Sequence, residues 1–198
     1  MTSQTSFDGW FESLTTHASS PWQWQSELAA AQSCRSRLIR IPTGLGKTEG
    51  VLAAWSFHRL SRHDDDWPRR LVWCLPMRVL VEQTEQVAKS LADRMPAANR
   101  PDVHVLMGGE DAGEWFLHPE RPAILIGTQD MLLSRSLNRG YASARARWPI
   151  EFGLLNQDAL WVMDGSNSWM SGWPHRLSFR HFAGKTRARA SVPARHGG

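Results

Sequence analysis

Apolar positions along this chain gather into short continuous runs separated by polar and glycine-rich stretches. LVWCL at 71–75, VHVLM at 103–107, AILIG at 123–127 and ALWVM at 159–163 are such runs, and Leu38-Ile39-Arg40-Ile41 is a shorter one. A strand with one wet face alternates apolar and polar residues. These do not, so they predict five strands covered on both faces, as in a parallel sheet between helices. Between the runs the period changes to that of a helix. Trp24–Ala31 predicts one helix, and Lys47 onward through GVLAAWSFHRL another, with Val51, Leu52, Trp55 and Leu60 on a common face. Val79 to Leu91 predicts an amphipathic helix with Val79, Leu80, Val87 and Leu91 apolar, and MLLSRSL a further one. Pro76 stops the run at 71–76, and Gly108-Gly109 the run at 103–107. SRHDDDWPRR reads as a charged loop. Strand–helix alternation predicts an α/β domain with a central, mainly parallel sheet and helices on both faces. Residues 1–20 read as a polar extension with an apolar cluster at Phe7, Trp10, Phe11 and Leu14, and the domain as 21–164.

In an open α/β sheet, ligands gather at the carboxyl ends of the strands. That places PTGLGKT, Pro76-Met77-Arg78, Met107-Gly108-Gly109, GTQD and Asp164 along one edge. In PTGLGKT, Gly44 and Gly46 let the backbone curl so that successive N–H groups point at a phosphate. The following helix adds the partial positive charge of its N-terminus. Lys47 can reach the β- and γ-phosphates, and the Thr48 hydroxyl can coordinate Mg²⁺. The nucleotide-binding residues predicted here are Thr43, Gly44, Leu45, Gly46, Lys47 and Thr48. The usual phosphate-loop pattern begins with a Gly where this chain has Ile41, and P-T-G-x-G-K-T is a variant of that pattern. Asp164, at the end of WVMD, is the carboxylate that a P-loop NTPase needs on a neighbouring strand to hold the water shell of Mg²⁺. Lys47 and Asp164 are therefore the catalytic candidates, and Thr48 and Asp164 the metal candidates. The competing reading of Asp164 is a turn former or helix cap.

IPTGLGKT, LPMRVLVEQT, GTQDMLLSRSLNRGY and LWVMD, in this order and spacing, resemble the first motor domain of a superfamily 2 helicase of the DEAD/DEAH type. The wording of LPMRVLVEQT and GTQDMLLSRSLNRGYA resembles the CRISPR-associated helicase of type I interference systems, particularly the subtype called U or G. The likeness covers roughly residues 21–164 and implies a RecA-like fold. It implies ATP-driven translocation on, and unwinding of, DNA during CRISPR interference, with ATP and Mg²⁺ as cofactors and the CRISPR surveillance complex as partner. It implies that Pro76, Met77, Arg78, Gly108, Gly109, Thr128, Gln129 and Asp130 touch the backbone of single-stranded DNA, which amides and small polar side chains can hold without reading bases. It implies that an upstream Gln reads adenine, here Gln25 with Gln23 as rival. ATP would sit between two such domains, the second supplying arginine fingers.

The family pattern places Glu after the Asp, to orient the attacking water, whereas this chain has Gly165. The rest of the chain has neither period nor element signal. After Asp164 there are six Arg or Lys and no acid, so residues 1–164 carry 17 basic against 19 acidic side chains, a net of −2. The high pI therefore belongs to the tail and does not itself predict nucleic-acid binding. A single-base deletion in a Glu codon accounts for both features. Read from third codon bases, Trp169-Met170 gives Asp and Trp173-Pro174 gives Ala without any choice. Permissible codons elsewhere turn the stretch into VQLMDVGLATSAQLQAF, which resembles the segment after Asp-Glu in these helicases. On this reading 165–198 is an out-of-frame, poorly ordered basic tail, the alternative being a genuine, divergent one. The chain then binds Mg-ATP at best, with negligible hydrolysis and no unwinding. The alternatives are a non-catalytic module that binds nucleic acid or a partner, a non-functional pseudogene product, and a small P-loop kinase, which leaves GTQD unexplained.

Cys34 and Cys74 are too few for a disulfide framework, and Cys74 lies inside an apolar run that predicts a buried reduced thiol. The N-terminus lacks the basic start and apolar core of a secretory signal, and no run approaches a membrane span, so the expected location is the cytoplasm. His58, His63 and Asp64-Asp65-Asp66 could be taken for metal ligands, but a solvated loop is the better reading. The frame hypothesis has a direct test in the gene. The codons of Ser166 to Ser168, read with the third base of the Gly165 codon before them, should yield Val-Gln-Leu, and codons that cannot do so reject it.

Overall fold

The computed structural model describes residues 6–15, 20–42, 44–108, 114–141 and 143–164. Its sheet has four strands: β1 (Arg70–Leu75), β2 (Asp102–Leu106), β3 (Ala123–Thr128) and β4 (Ala159–Met163). They lie in the order β2-β3-β1-β4 and every pairing is parallel. The helices are α1 (Phe7–Leu14), α2 (Gln23–Ala29), α3 (Lys47–Ser56), α4 (Arg78–Arg94), α5 (Gln129–Ser136) and α6 (Trp148–Asn156). The expected α/β architecture is present, with one strand fewer than predicted. Residues 38–41 form no ladder with any strand among the described residues. Arg40 interrupts that apolar run, Pro42 offers no amide for pairing, and Leu38 is 70% exposed.

Two apolar layers hold the sheet. Leu71, Trp73 and Leu75 of β1, with Ile124 and Ile126 of β3, face α1, α3 and α4. Val72, Cys74 and Leu125 point the other way, toward Leu132 of α5 and Leu155 of α6. Every residue of β1 is buried, which explains the unbroken apolar run. In α4 the buried stripe is Val81, Thr84, Ala88 and Leu91. Val79 was expected on that stripe but is 60% exposed. It lies two residues before Val81, about 200° around a helix of 3.6 residues per turn.

The apolar cluster near the N-terminus is part of this core. Its 7, 10, 11, 14 spacing is that of one helical face, and Trp10, Phe11 and Leu14 of α1 are buried. The Trp10 indole donates to Ser56 Oγ at 3.1 Å, and Arg94 donates to the Leu14 carbonyl at 3.2 Å. Thus α1 is pinned to the end of α3 and the end of α4.

Three buried polar groups fix the amino end of the sheet and its surroundings. Arg70 is 5% exposed, and its guanidinium donates to the carbonyls of Leu154, Pro119 and Gln157 at 2.9–3.0 Å. Arg135 of α5 pairs with Glu151 of α6 at 3.0 Å, both buried. His58 lies in a π-helical turn, Phe57–Ser61, stacked on Trp67 at 4.2 Å. Its Nε2 is 2.7 Å from the Ala29 carbonyl and its Nδ1 3.6 Å from Asp64. This corrects the expectation of a solvated loop at that histidine, because the stacking surface of Trp67 and the end of α2 cover it. No group of three or more His, Cys, Asp or Glu suited to a metal occurs among the described residues. Cys34 and Cys74 are free and buried, and burial pushes both thiols up to about 12. No helix among the described residues is long and apolar enough to cross a membrane.

Arg70→Met should lower stability by about 3 kcal/mol, because three buried carbonyls lose a charged donor. Urea unfolding measures this, with the exposed Arg121→Met as the comparison expected within about 0.5 kcal/mol of wild type. Acid should also destabilise the fold through His58. The Ala29 carbonyl can only accept, so Nε2 carries the proton of the neutral ring. Burial holds the folded-state pKa below the ordinary 6.5, and His104 is lowered by burial too. The unfolded chain then binds more protons as pH falls through 6.5, and stability present above that value is lost below it. The urea midpoint should drop between pH 7.5 and 5.5, and drop less in His58→Gln. An equal drop in both proteins would exclude His58 as the source.

Candidate functional site

Parallel pairing puts all four strand ends at one edge. Leu75 lies beside Thr128, Leu106 beside Gly127, and Cys74 beside Met163. From there the chain leaves as Pro76-Met77 into α4, as Met107-Gly108 after β2, as Gln129-Asp130 into α5, and as Asp164 after β4. The Asp164 amide still donates to the Cys74 carbonyl at 3.1 Å, which fixes its backbone at the strand end.

The loop before α3 supplies the other wall of a cleft of about 670 Å³, lined by Gly44, Gly46, Lys47, Thr48 and, opposite them, Asp164. That volume lies within the range of small-ligand sites. Gly44 has φ +88° and Gly46 φ +63°, backbone conformations that side chains resist. Gly46 is the N-cap of α3, and no side chain caps the helix there. The first-turn amides of α3 therefore keep their donors for a ligand, and the helix end favours an anion. Lys47 Nζ reaches back to the Ile41 carbonyl at 3.4 Å, a long contact that a phosphate oxygen could replace. An ammonium, a row of amides, a hydroxyl and a carboxylate are the donor set that a magnesium triphosphate needs, so the residues fit Mg-ATP.

On the third side stands α2. Gln25 is 1% exposed and both ends of its amide are engaged. Oε1 accepts from the Trp22 amide at 2.8 Å, the back-reaching half of a capping box, and Nε2 donates to the Gly46 carbonyl at 3.1 Å. Gln23 instead bonds Glu27 on the exposed face at 2.9 Å, so of the two glutamines it is Gln25 that meets the phosphate loop. α2 comes this close because of Gly50. A Cβ there would stand 2.5 Å from the Trp24 ring and 2.8 Å from Gln25 Cγ.

Trp22 is 57% exposed and lines the same cleft, as do Phe11 and Thr15 from the N-terminal segment. These residues escape sequence reasoning. A flat aromatic face three residues before the glutamine is the one signal that could point to Trp22.

Pro76, Met77, Arg78, Gly108, Thr128, Gln129 and Asp130 all lie at this sheet edge, with Met77, Arg78 and Asp130 exposed. The Arg78 guanidinium donates to the Gly108 carbonyl, so the stretches after β1 and β2 are joined directly. Thr43, Gly109 and everything from Gly165 onward, including the proposed out-of-frame tail, lie outside the described residues.

No curated protein matches the chain. The family model for the DEAD/DEAH box helicase matches residues 20–164, well over half of the 198. Domains of that family use ATP, generally with Mg²⁺, and act on nucleic acid. With the phosphate loop, the facing aspartate and the strand-end motifs on one edge of a RecA-like sheet, this chain belongs to the DEAD/DEAH box helicase family.

Proposed function

We propose that residues 21–164 are the ATP-binding motor domain of a DNA helicase acting in CRISPR interference, in which Mg-ATP occupies the cleft between α3 and Asp164. The observation that carries this reading is the meeting of Gly44, Gly46, Lys47, Thr48 and Asp164 with Gln25 of α2 and Trp22, the residue before that helix, around one cleft. Bound magnesium would neutralise charge developing on the transferred phosphoryl group. Thr48 and Asp164 would hold the metal and its water, Lys47 the outer phosphates, and the α3 amides the phosphate between them. Trp22 would stack on the purine, while Gln25 holds the loop at Gly46 and offers its remaining amide hydrogen and lone pair to the base. The wording of LPMRVLVEQT and GTQDMLLSRSLNRGYA supports the CRISPR assignment, and the surveillance complex is the corresponding partner. Arg78, Gly108 and the Thr128–Asp130 turn would hold a single strand by its backbone.

Turnover is a separate matter. Position 165 is Gly, which can neither orient a water nor accept its proton. Residues 165–198 are proposed to be out of frame, so the 198-residue chain binds nucleotide with negligible hydrolysis and no unwinding. A non-catalytic nucleic-acid-binding module is the second reading, and the same glycine favours it.

Calorimetry with Mg-ATP should show one site. Lys47→Ala should weaken it about tenfold to a hundredfold, the worth of a charge-assisted phosphate contact. Trp22→Ala should weaken it roughly threefold to tenfold through the lost ring contact. Phosphate release in the presence of single-stranded DNA should stay at the level of a protein-free blank. DNA-stimulated release that Lys47→Ala abolishes would refute the inactive assignment. Absence of any binding would refute the nucleotide site.

A further inference from the structure

The connection from α5 to α6 carries features that the nucleotide site and the sheet edge do not use. Between Met131 and Ile150 there are four arginines and no Asp or Glu. Two of the four are structural: Arg135 is neutralised by Glu151 inside the protein, and Arg147 is half-buried with its guanidinium 4.8 Å from the Phe116 ring. Arg139 and Arg145 are exposed, and so is Tyr141, at 59%.

These three side chains stand on a built platform. The Arg139 amide donates to the Ser134 carbonyl at 2.8 Å and the Tyr141 amide to Ser134 Oγ at 3.1 Å, so both are tied back to α5. Gly140 lies flat against Trp148, where a Cβ would fall 1.9 Å from the indole nitrogen. That nitrogen donates to the Ser143 carbonyl at 2.9 Å, and Arg145 sits over the indole at 5.9 Å from its centre. Trp148 thus brings Arg145 beside the Arg139–Tyr141 turn.

We infer that Arg139, Tyr141 and Arg145 form a second contact for an unpaired nucleic-acid strand, continuing the one at Thr128-Gln129-Asp130. The inference rests on the proposed nucleic-acid role of that edge. α5 begins at Gln129, and its eight residues span about 12 Å. A strand leaving the sheet edge along α5 meets two guanidinium groups that bind phosphate without reading bases, and an exposed ring on which an unpaired base can stack. The remaining acids near this helix do not oppose it: Asp130 is at the far end, and Glu151 is paired and buried.

Fluorescence anisotropy of labelled oligo-dT, titrated with the full chain at several salt concentrations, tests this. Each phosphate contact on a single strand contributes about 0.7 to the slope of log affinity against log salt. Arg139→Gln with Arg145→Gln should weaken binding and reduce that slope by about 1.4. Tyr141→Ala should weaken binding roughly fivefold or more with the slope unchanged, and Tyr141→Phe should restore it. Mg-ATP affinity should stay at the wild-type value in all three, which establishes that they fold. Wild-type binding with an unaltered slope and affinity in the arginine pair would overturn the second contact and leave the sheet-edge reading standing. Failure of the wild-type chain to bind oligo-dT at any salt would overturn both.

Discussion

Everything in this molecule that bears on function depends on one geometric constraint: all four strands run the same way. Parallel pairing forces each connection to travel back along the sheet, through α4 between β1 and β2 and through α5 and α6 between β3 and β4, and it forces every strand to end at the same edge. Asp164, Arg78, Gly108 and Gln129 are up to 86 residues apart in sequence (Arg78 to Asp164), yet each follows a strand or opens a helix at that edge. The apolar cost of this arrangement is visible in β1, which must be buried on both faces and is. Polar groups stabilise the other end, where Arg70 gathers three carbonyls from the segments that precede β3 and β4.

The phosphate loop is held differently. It comes after an extended segment without ladder bonds, so its position rests on α3 behind it and α2 beside it. Gly50 allows α2 to lie against α3, and Gln25 then bonds Gly46. α1 braces the far end of α3 through Trp10 and Ser56 and touches α4 through Leu14. The helix that presents the phosphate-binding amides and the helix that begins with Arg78 thus share one support. This gives the N-terminal segment a structural part in the site that its polar composition does not announce.

Elements whose local pattern and tertiary role agree were legible in the sequence. The runs at 71–75 and 123–127 form buried strands and the run at 159–163 a half-buried edge strand, as five consecutive apolar residues bounded by turn signals indicate. The phosphate loop was legible because its glycines serve a local backbone need. Where tertiary contacts decide, the pattern was silent. α6 carries apolar residues on both faces, with Ile150 and Phe152 exposed and Leu155 buried, so it shows no helical period. LIRI has strand composition, yet no strand among the described residues pairs with it. Trp22 and Gln25 acquire their roles from helix packing across a glycine, and His58 from a ring stack; neither is written in spacing alone.

The most direct test of the central claim is a crystal structure of the chain grown with magnesium and a non-hydrolysable ATP analogue. The account predicts the triphosphate wrapped by the backbone of 44–48, the metal between Thr48 and Asp164, and the base against Trp22. A triphosphate bound elsewhere, or a metal whose shell excludes Asp164, would contradict it.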